Sequence, residues 1–284
     1  MEVDGGEAEV LGWIDTERYP LDARESPGYA AVVAAGRAQL AEHGYAELSG
    51  FVRPGAVERF VAEAEALRPR AYASEGIGTP YLELPDEAAF ASDHPRRTWM
   101  PYGVSAVPYD LFPTSSLLRR LYEAEVLRVL IEDIVDRGPV MRYADPFGAL
   151  NLAVMHAGDQ LQWHFDQTDF VVSLAIQTAS VGGDFEVAPK IRSADDERYD
   201  EVAEVLDGAS SAVVTLAMTP GTLLVFEGRH SLHRVSPIEG TRARHVGLLG
   251  YDTTPGAMGS DLLREIRYGR TVPFDTPPAV WPPT

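Results

Sequence analysis

Cysteine is absent from all 284 residues. That excludes a disulfide framework and any thiolate metal site, and it fits a reducing, cytoplasmic setting. Basic residues are few: 24 Lys and Arg stand against 43 Asp and Glu, a formal net charge of −19. Phosphate backbones are gripped by a basic footprint, so nucleic acid is not expected as a partner. The acidity also argues against a substrate borne on an acidic carrier protein; a small cationic or zwitterionic substrate remains compatible. No run of about 18 apolar residues occurs, so no membrane span is expected. The segment Met1 to Gly6 is acidic and lacks the basic, apolar make-up of a secretory signal. There is no internal repeat and no low-complexity tract, and homo-oligomerisation is left open.

What is present is a chain 45% hydrophobic, enough for a substantial core in one compact unit. Residues 1–27 are polar and turn-rich and read as a loosely held arm. An Ala-rich helix is predicted over 29–42, a short strand over 44–48 and a second helix over 54–67, with Pro54 in its first turn. Residues 70–114 are dense in Pro, Gly and aromatics without a clear period. A loop of that length in a compact domain is usually functional, and it is the candidate substrate lid. Residues 115–137 read as the longest helix, with Leu117, Leu118, Leu121, Val126, Leu130 and Ile134 near one face. Strands follow at 140–144, 149–156, 160–166, 169–177, 184–188, 211–217, 222–227 and 244–251, interrupted by a charged insert over 190–208. A short helix is predicted over 261–268, and the proline-rich tail over 277–283 reads as extended. The strand count fits two facing antiparallel sheets, a mainly β fold with flanking helices and a double-stranded β-helix (jelly-roll, cupin-like) core. Residues 1–138 form the arm, helices and lid that wrap it, and 139–284 the core with its C-terminal helix and tail.

The chemistry concentrates in Trp163-His164-Phe165-Asp166 and the distant Ser231-Leu232-His233-Arg234-Val235. Residues i and i+2 of an extended strand share a face, so His164 and Asp166 can aim an imidazole and a carboxylate at one ion. His233, in an apolar strand-like context, can complete a set of two histidines and one carboxylate. That set leaves positions open and is the ligand pattern of non-haem iron(II) oxygen activation. A lone His-x-Asp is more often a turn or a hydrogen-bonded pair; the downstream strand, His and following arginines raise its weight. His230 lies three residues before His233 and competes with it as a ligand. His43, His94, His156 and His245 read as ordinary, with His156 a hydrogen-bonded core residue.

With Asp145-Pro146-Phe147-Gly148-Ala149-Leu150-Asn151, Gly182-Gly183-Asp184-Phe185-Glu186 and Val235-Ser236-Pro237 added, the chain resembles the iron(II)/2-oxoglutarate-dependent dioxygenase superfamily. It is most similar to the bacterial branch of small-molecule, often free amino acid, hydroxylases and radical halogenases. The resemblance covers about residues 140–270. It implies that His164, Asp166 and His233 hold Fe(II), and that an arginine shortly after the second His binds the far carboxylate of 2-oxoglutarate, with O2 as the other co-substrate. Arg242 and Arg244, nine and eleven residues past His233, both fit; the lean is to Arg242. A planar guanidinium suits that task because it binds a carboxylate through two parallel hydrogen bonds.

In the halogenases of this branch a small residue replaces the carboxylate. Asp166 therefore implies hydroxylation or a related oxidation (desaturation or cyclisation) of an unactivated C–H bond, in a small molecule such as an amino acid of secondary metabolism. Substrate contacts are expected from Gln167, Asp169, Arg142 and Tyr268, with Arg96 and Arg97 as further, more ordinary arginines. Two other classes stay open: a zinc-type metallohydrolase on the same three ligands, which needs no downstream arginine, and a non-catalytic jelly-roll binding protein, which would tolerate loss of Asp166.

Overall fold

A computed structural model describes residues 5–275. Its centre is a pair of antiparallel sheets. The larger has seven strands in the order β1-β10-β7-β12-β5-β3-β2, and the smaller four in the order β6-β11-β8-β9. Their ranges are β1 Tyr45–Leu48, β2 Tyr72–Gly78, β3 Met100–Pro108, β5 Leu150–Met155, β6 Leu161–His164, β7 Val171–Gln177, β8 Phe185–Ala188, β9 Val214–Leu216, β10 Leu223–Phe226, β11 Leu232–Val235 and β12 Arg244–Leu249. A separate pair joins β4 (Met141–Arg142) to β13 (Tyr251–Asp252). This is the jelly-roll expected from the strand pattern.

Alternation along the strands sorts the core into layers. Leu150, Leu152 and Val154 of β5 point to a cluster shared with the helices α2 (Pro27–His43), α3 (Pro54–Leu67), α4 (Leu117–Glu123) and α5 (Glu125–Val135). Ala153 and Met155 of the same strand point instead between the sheets, where they meet Ala175, Phe185, Leu224, Phe226 and Val235. A third cluster, with Tyr81, Trp163, Phe165, Val202 and Leu232, lies under α6 (Tyr199–Leu206) on the outer side of the smaller sheet. Trp163 is thus a core residue turned away from the ligands. At the end of α2, Gly44 takes φ 72° and its N–H donates to the Leu40 carbonyl, a left-handed cap that turns the chain into β1.

Several expectations need correction. The described part of the expected arm, residues 5–27, is not loosely held: α1 spans Gly5–Trp13, and Val10, Trp13, Ile14, Tyr19 and Leu21 are buried. The stretch 70–114 is not one long lid, because β2 and β3 pair over seven residues and β3 joins β5. Five of the seven β2 residues face solvent and only Ser74 is buried, so no alternation marks this edge strand in the sequence. The predicted helix over 115–137 is broken at Ala124, whose ψ of 130° is extended. No Pro or Gly stands there. Tertiary partners take the hydrogen bonds instead: the Tyr122 carbonyl accepts from Tyr251 Oη (3.0 Å), the Glu123 carbonyl from Arg142 (2.5 Å), and Glu7 accepts from the Glu125 N–H (3.1 Å). Strand β11 is absent from the predicted strands although its key histidine is identified. The helix over 261–268 is found as α7, Asp261–Tyr268, whereas the tail over 277–283 lies outside the described residues. No helix among the described residues is long and apolar enough to cross a membrane.

Candidate metal centre and its cavity

β11 lies between β6 and β8, and its register sets His233 directly opposite His164. The two imidazoles converge with ring centroids 4.2 Å apart. Strand β6 ends at His164, but the Asp166 N–H donates to the Gly228 carbonyl at 3.0 Å, so the backbone stays paired and the carboxylate returns to the histidine side. Asp166 Oδ1 is 3.8 Å from His164 Nε2, and its Oδ2 is 3.4 Å from His233 Nε2. Potential ligand atoms of all three residues lie within 4.8 Å of one another.

The hydrogen bonds behind this trio suit a metal. His164 Nδ1 is 2.8 Å from the Gln162 carbonyl, and His233 Nδ1 is 2.9 Å from the Ser231 carbonyl. A carbonyl can only accept, so each Nδ1 carries the proton and each Nε2 presents its lone pair inward. Burial, followed by the neighbouring His233, holds the His164 pKa well below its usual value, so this ring is neutral and ready to ligate. Asp166 Oδ2 is buried without a hydrogen-bond partner among the described residues. An orphaned carboxylate oxygen facing two imidazole lone pairs is costly unless a cation joins them. A side chain at Gly228 would put its Cβ 2.0 Å from that oxygen; the glycine keeps the carboxylate in place. The donors therefore fit a divalent metal with two nitrogens and one oxygen.

The trio opens into a cavity of about 310 Å³ between the sheets. Arg244 lines it and is buried, with no hydrogen bond or salt bridge to a described residue. Desolvation pushes its pKa down to about 10, still far above neutrality, so it remains a guanidinium. Arg242 is different. It lies in the turn before β12, is exposed and donates to the Thr178 (2.8 Å) and Ala179 (3.2 Å) carbonyls. The expectation leaned to Arg242, yet strand parity does not apply to it, because β12 begins only at Arg244, and of the two arginines Arg244 alone lines the cavity.

The expected substrate residues divide. Gln167 and Tyr268 line the cavity. Asp169 does not; it pairs with Arg229 at 2.5 Å on the outer surface. Arg142 also lies outside, donating to the Tyr122 and Glu123 carbonyls and pairing with Glu125 at 3.2 Å. Arg96 is held by Glu83, Glu197 and Tyr199 over the Tyr81 ring, and Arg97 by the Phe90 carbonyl. His230 sits in the turn before β11, away from the cavity lining. His156 is not a core residue; it lies just past β5 with its side chain 45% exposed. From the supposed lid, Leu82 lines the cavity together with Val104 and Ala106, the last two as part of β3 rather than of a loop.

Sequence reading misses Tyr143, Asn151, Ser173 and Arg267 in the lining. Asn151 Oδ1 is buried there without a partner among the described residues. The alternation of β5 could have flagged Asn151, which shares the inner parity of Ala153. The adjacency of Arg267 to Tyr268 could have flagged the arginine.

A protein-family model described as "HalD: Halogenase D" matches residues 99–264, more than half of the chain. Among curated proteins, none matches. Solved structures with a similar fold include AviO1 from Streptomyces viridochromogenes Tue57, at TM-score 0.54 and 21% identity over 81% of this chain and 97% of that one. They also include SnoN, a non-heme alpha ketoglutarate dependent epimerase from nogalamycin biosynthesis, at TM-score 0.57 and 17% identity over 87% and 91% of the two chains. A 2OG-Fe(II) oxygenase family oxidoreductase from Burkholderia pseudomallei matches at TM-score 0.50 and 17% identity over 79% and 92%. At such identities the common property is the fold.

Proposed function

This chain belongs to the HalD (Halogenase D) family, and from that premise we propose that it is a non-haem iron(II)/2-oxoglutarate-dependent oxygenase acting on a C–H bond of a small molecule. The observation that carries the proposal is the meeting, in one cavity, of a metal-ready His164–Asp166–His233 trio and a buried, unpaired Arg244. A zinc hydrolase on the same three ligands would not require that arginine.

His164, Asp166 and His233 would hold the iron through two nitrogens and one oxygen, with the Gln162 and Ser231 carbonyls fixing both imidazoles. Arg244 would receive the far carboxylate of 2-oxoglutarate through a charge-assisted fork. That partner offsets the cost of burying the guanidinium. When bound, iron with 2-oxoglutarate and O2 supplies the oxidant, with the oxo acid decarboxylated to succinate. The apolar walls, among them Val104, Met155, Leu224 and Val246, exclude water from the reacting carbon.

The family is described as halogenase, yet Asp166 is present. Its carboxylate would fill the coordination position that a halide needs, so the proposed outcome is hydroxylation, with desaturation or cyclisation as variants of the same C–H attack set by substrate placement. Anaerobic titration of the apo-protein with iron(II) and 2-oxoglutarate tests this. A weak visible charge-transfer band is expected, followed by O2-dependent succinate release. Folded, metal-loaded protein without the band would defeat the proposal.

A further inference from the structure

Three arginines follow one another at intervals of three residues: Arg264 and Arg267 in helix α7, and Arg270 just past its Gly269 cap. Two of them are neutralised. Arg264 Nε and Nη2 donate to Asp145 Oδ2 at 3.0 and 2.9 Å, and Arg270 donates to both Asp110 oxygens at 2.7 and 2.8 Å. Both aspartates are buried, their side chains 2% and 6% exposed. Arg267 has no hydrogen bond or salt bridge to a described residue, and it lines the same cavity as the metal trio. From this arrangement we infer that Arg267 receives an anionic group of the substrate, a carboxylate, and so makes this enzyme selective for small organic acids over their neutral analogues. The inference rests on the oxygenase reading for the occupants of the rest of the cavity.

The helix is a firm mount for such a residue. The Ser260 side chain caps it, accepting from the Leu263 N–H at 3.2 Å. The ring of Tyr268 stacks on Phe147, with centroids 5.4 Å apart. The Asp145 pair ties α7 to the segment leading into β5. Arg267 stands between these anchors, half-buried.

Charge balance in the cavity points the same way. Asp166 is the one carboxylate among the described lining residues, and two guanidiniums, Arg244 and Arg267, face the same space. With iron(II) and the doubly charged oxo acid in place, the positive charges exceed the negative by one. In a cavity walled largely by apolar side chains, where solvent screens weakly, that excess favours a monoanionic guest. Asp169, the group expected to meet a substrate cation, is instead paired with Arg229 outside the cavity.

The test compares matched pairs of probes, small amino acids and simple aliphatic carboxylic acids against their primary amides. Binding is measured by anaerobic calorimetry on the intact protein loaded with iron(II) and saturated with 2-oxoglutarate, so that the co-substrate site is not competed for. Acids are expected to bind at least about tenfold more tightly than their amides, in keeping with a charge-assisted bond to guanidinium. Arg267→Gln should erase that preference while leaving 2-oxoglutarate affinity within about twofold, which also reports that the variant is folded; Arg267→Lys should retain part of the preference.

Absence of any acid preference in the parent protein, or its survival in Arg267→Gln, overturns the inference. So does a lysine variant no better than glutamine, which would assign the loss to packing. An equal loss of 2-oxoglutarate binding in Arg267→Gln would assign the residue to the co-substrate and overturn it too. Failure of the oxygenase reading is recognised separately, by the missing charge-transfer band before any probe is added; calorimetry needs no such band, so an acid preference lost in Arg267→Gln would still support the anion site.

Discussion

His233 and His164 stand as directly opposed residues of neighbouring antiparallel strands, each with Nδ1 tied to the carbonyl two residues before it. The pairing makes the two Nε2 atoms a single feature of the sheet rather than of two loops. A ligand pair built on paired strands is held by the ladder itself, so its geometry is set before metal arrives.

The choice of third ligand is therefore sharp. His233→Ala should abolish iron retention and the charge-transfer band, while His230→Ala should keep both, because His230 sits in the preceding turn. Metal content after desalting, compared between the two variants, decides it. A band that survived in His233→Ala would transfer the role to another residue.

Asp166 and Gly228 are expected to behave as a coupled pair. Asp166→Ala should abolish product formation and weaken iron binding. Gly228→Ala should weaken iron at least about tenfold on its own, since its Cβ would fall on Asp166 Oδ2. In the double variant the added methyl has nothing to displace, so the second substitution should cost little. Additive losses in an iron-affinity cycle would show that Gly228 acts elsewhere.

Arg244 and Arg242 are predicted to separate cleanly. Arg244→Gln should weaken 2-oxoglutarate at least about tenfold, the scale of one lost charge-assisted fork. The same substitution should raise or leave unchanged the stability of the apo-protein, because it removes a buried charge without a partner among the described residues. Arg242→Gln should leave affinity unchanged. Titrations of 2-oxoglutarate and thermal melts of both variants check the two halves independently.

A pH effect is expected away from the cavity. His245 is fully buried, with Nε2 2.8 Å from Glu65 Oε1. Burial lowers its pKa below the usual 6.5 despite the carboxylate, and the hydrogen bond from His245 lowers that of Glu65. The unfolded chain thus binds protons more readily than the fold does at both groups. Their contribution to stability is present above about pH 6.5 and lost on acidification. His245→Gln should flatten the decline of unfolding free energy between about pH 6.5 and 5, measured by denaturant titration; an unchanged slope would remove His245 from the acid response.

Local pattern was enough for α3 and α7, whose predicted and observed limits coincide. In both, the start is marked in the chain itself, by Pro54 in the first turn of α3 and by the Ser260 cap of α7. The same held for the strands from β5 onward, with the exception of the four-residue β11. It failed where hydrogen bonds come from far away. The break at Ala124 depends on Glu7, Arg142 and Tyr251, none of them near it in sequence. Likewise β2 is an exposed edge whose partner supplies its order.

For the site, the residue types and spacing of His164, Asp166 and His233 were legible because coordination chemistry restricts which side chains can share an ion. The arginines were not. Arg242 and Arg244 are two residues apart and chemically identical, and what separates them is where β12 begins. Among Arg264, Arg267 and Arg270, an i, i+3, i+6 series read from sequence is uniform; only packing supplies Asp145 and Asp110 to the outer two. The chain by itself determined which atoms could bind a metal, since that is a property of side-chain chemistry. Which charges are cancelled and which face the cavity was decided by tertiary structure alone, because a guanidinium's role depends on its neighbours in space and on its distance from water.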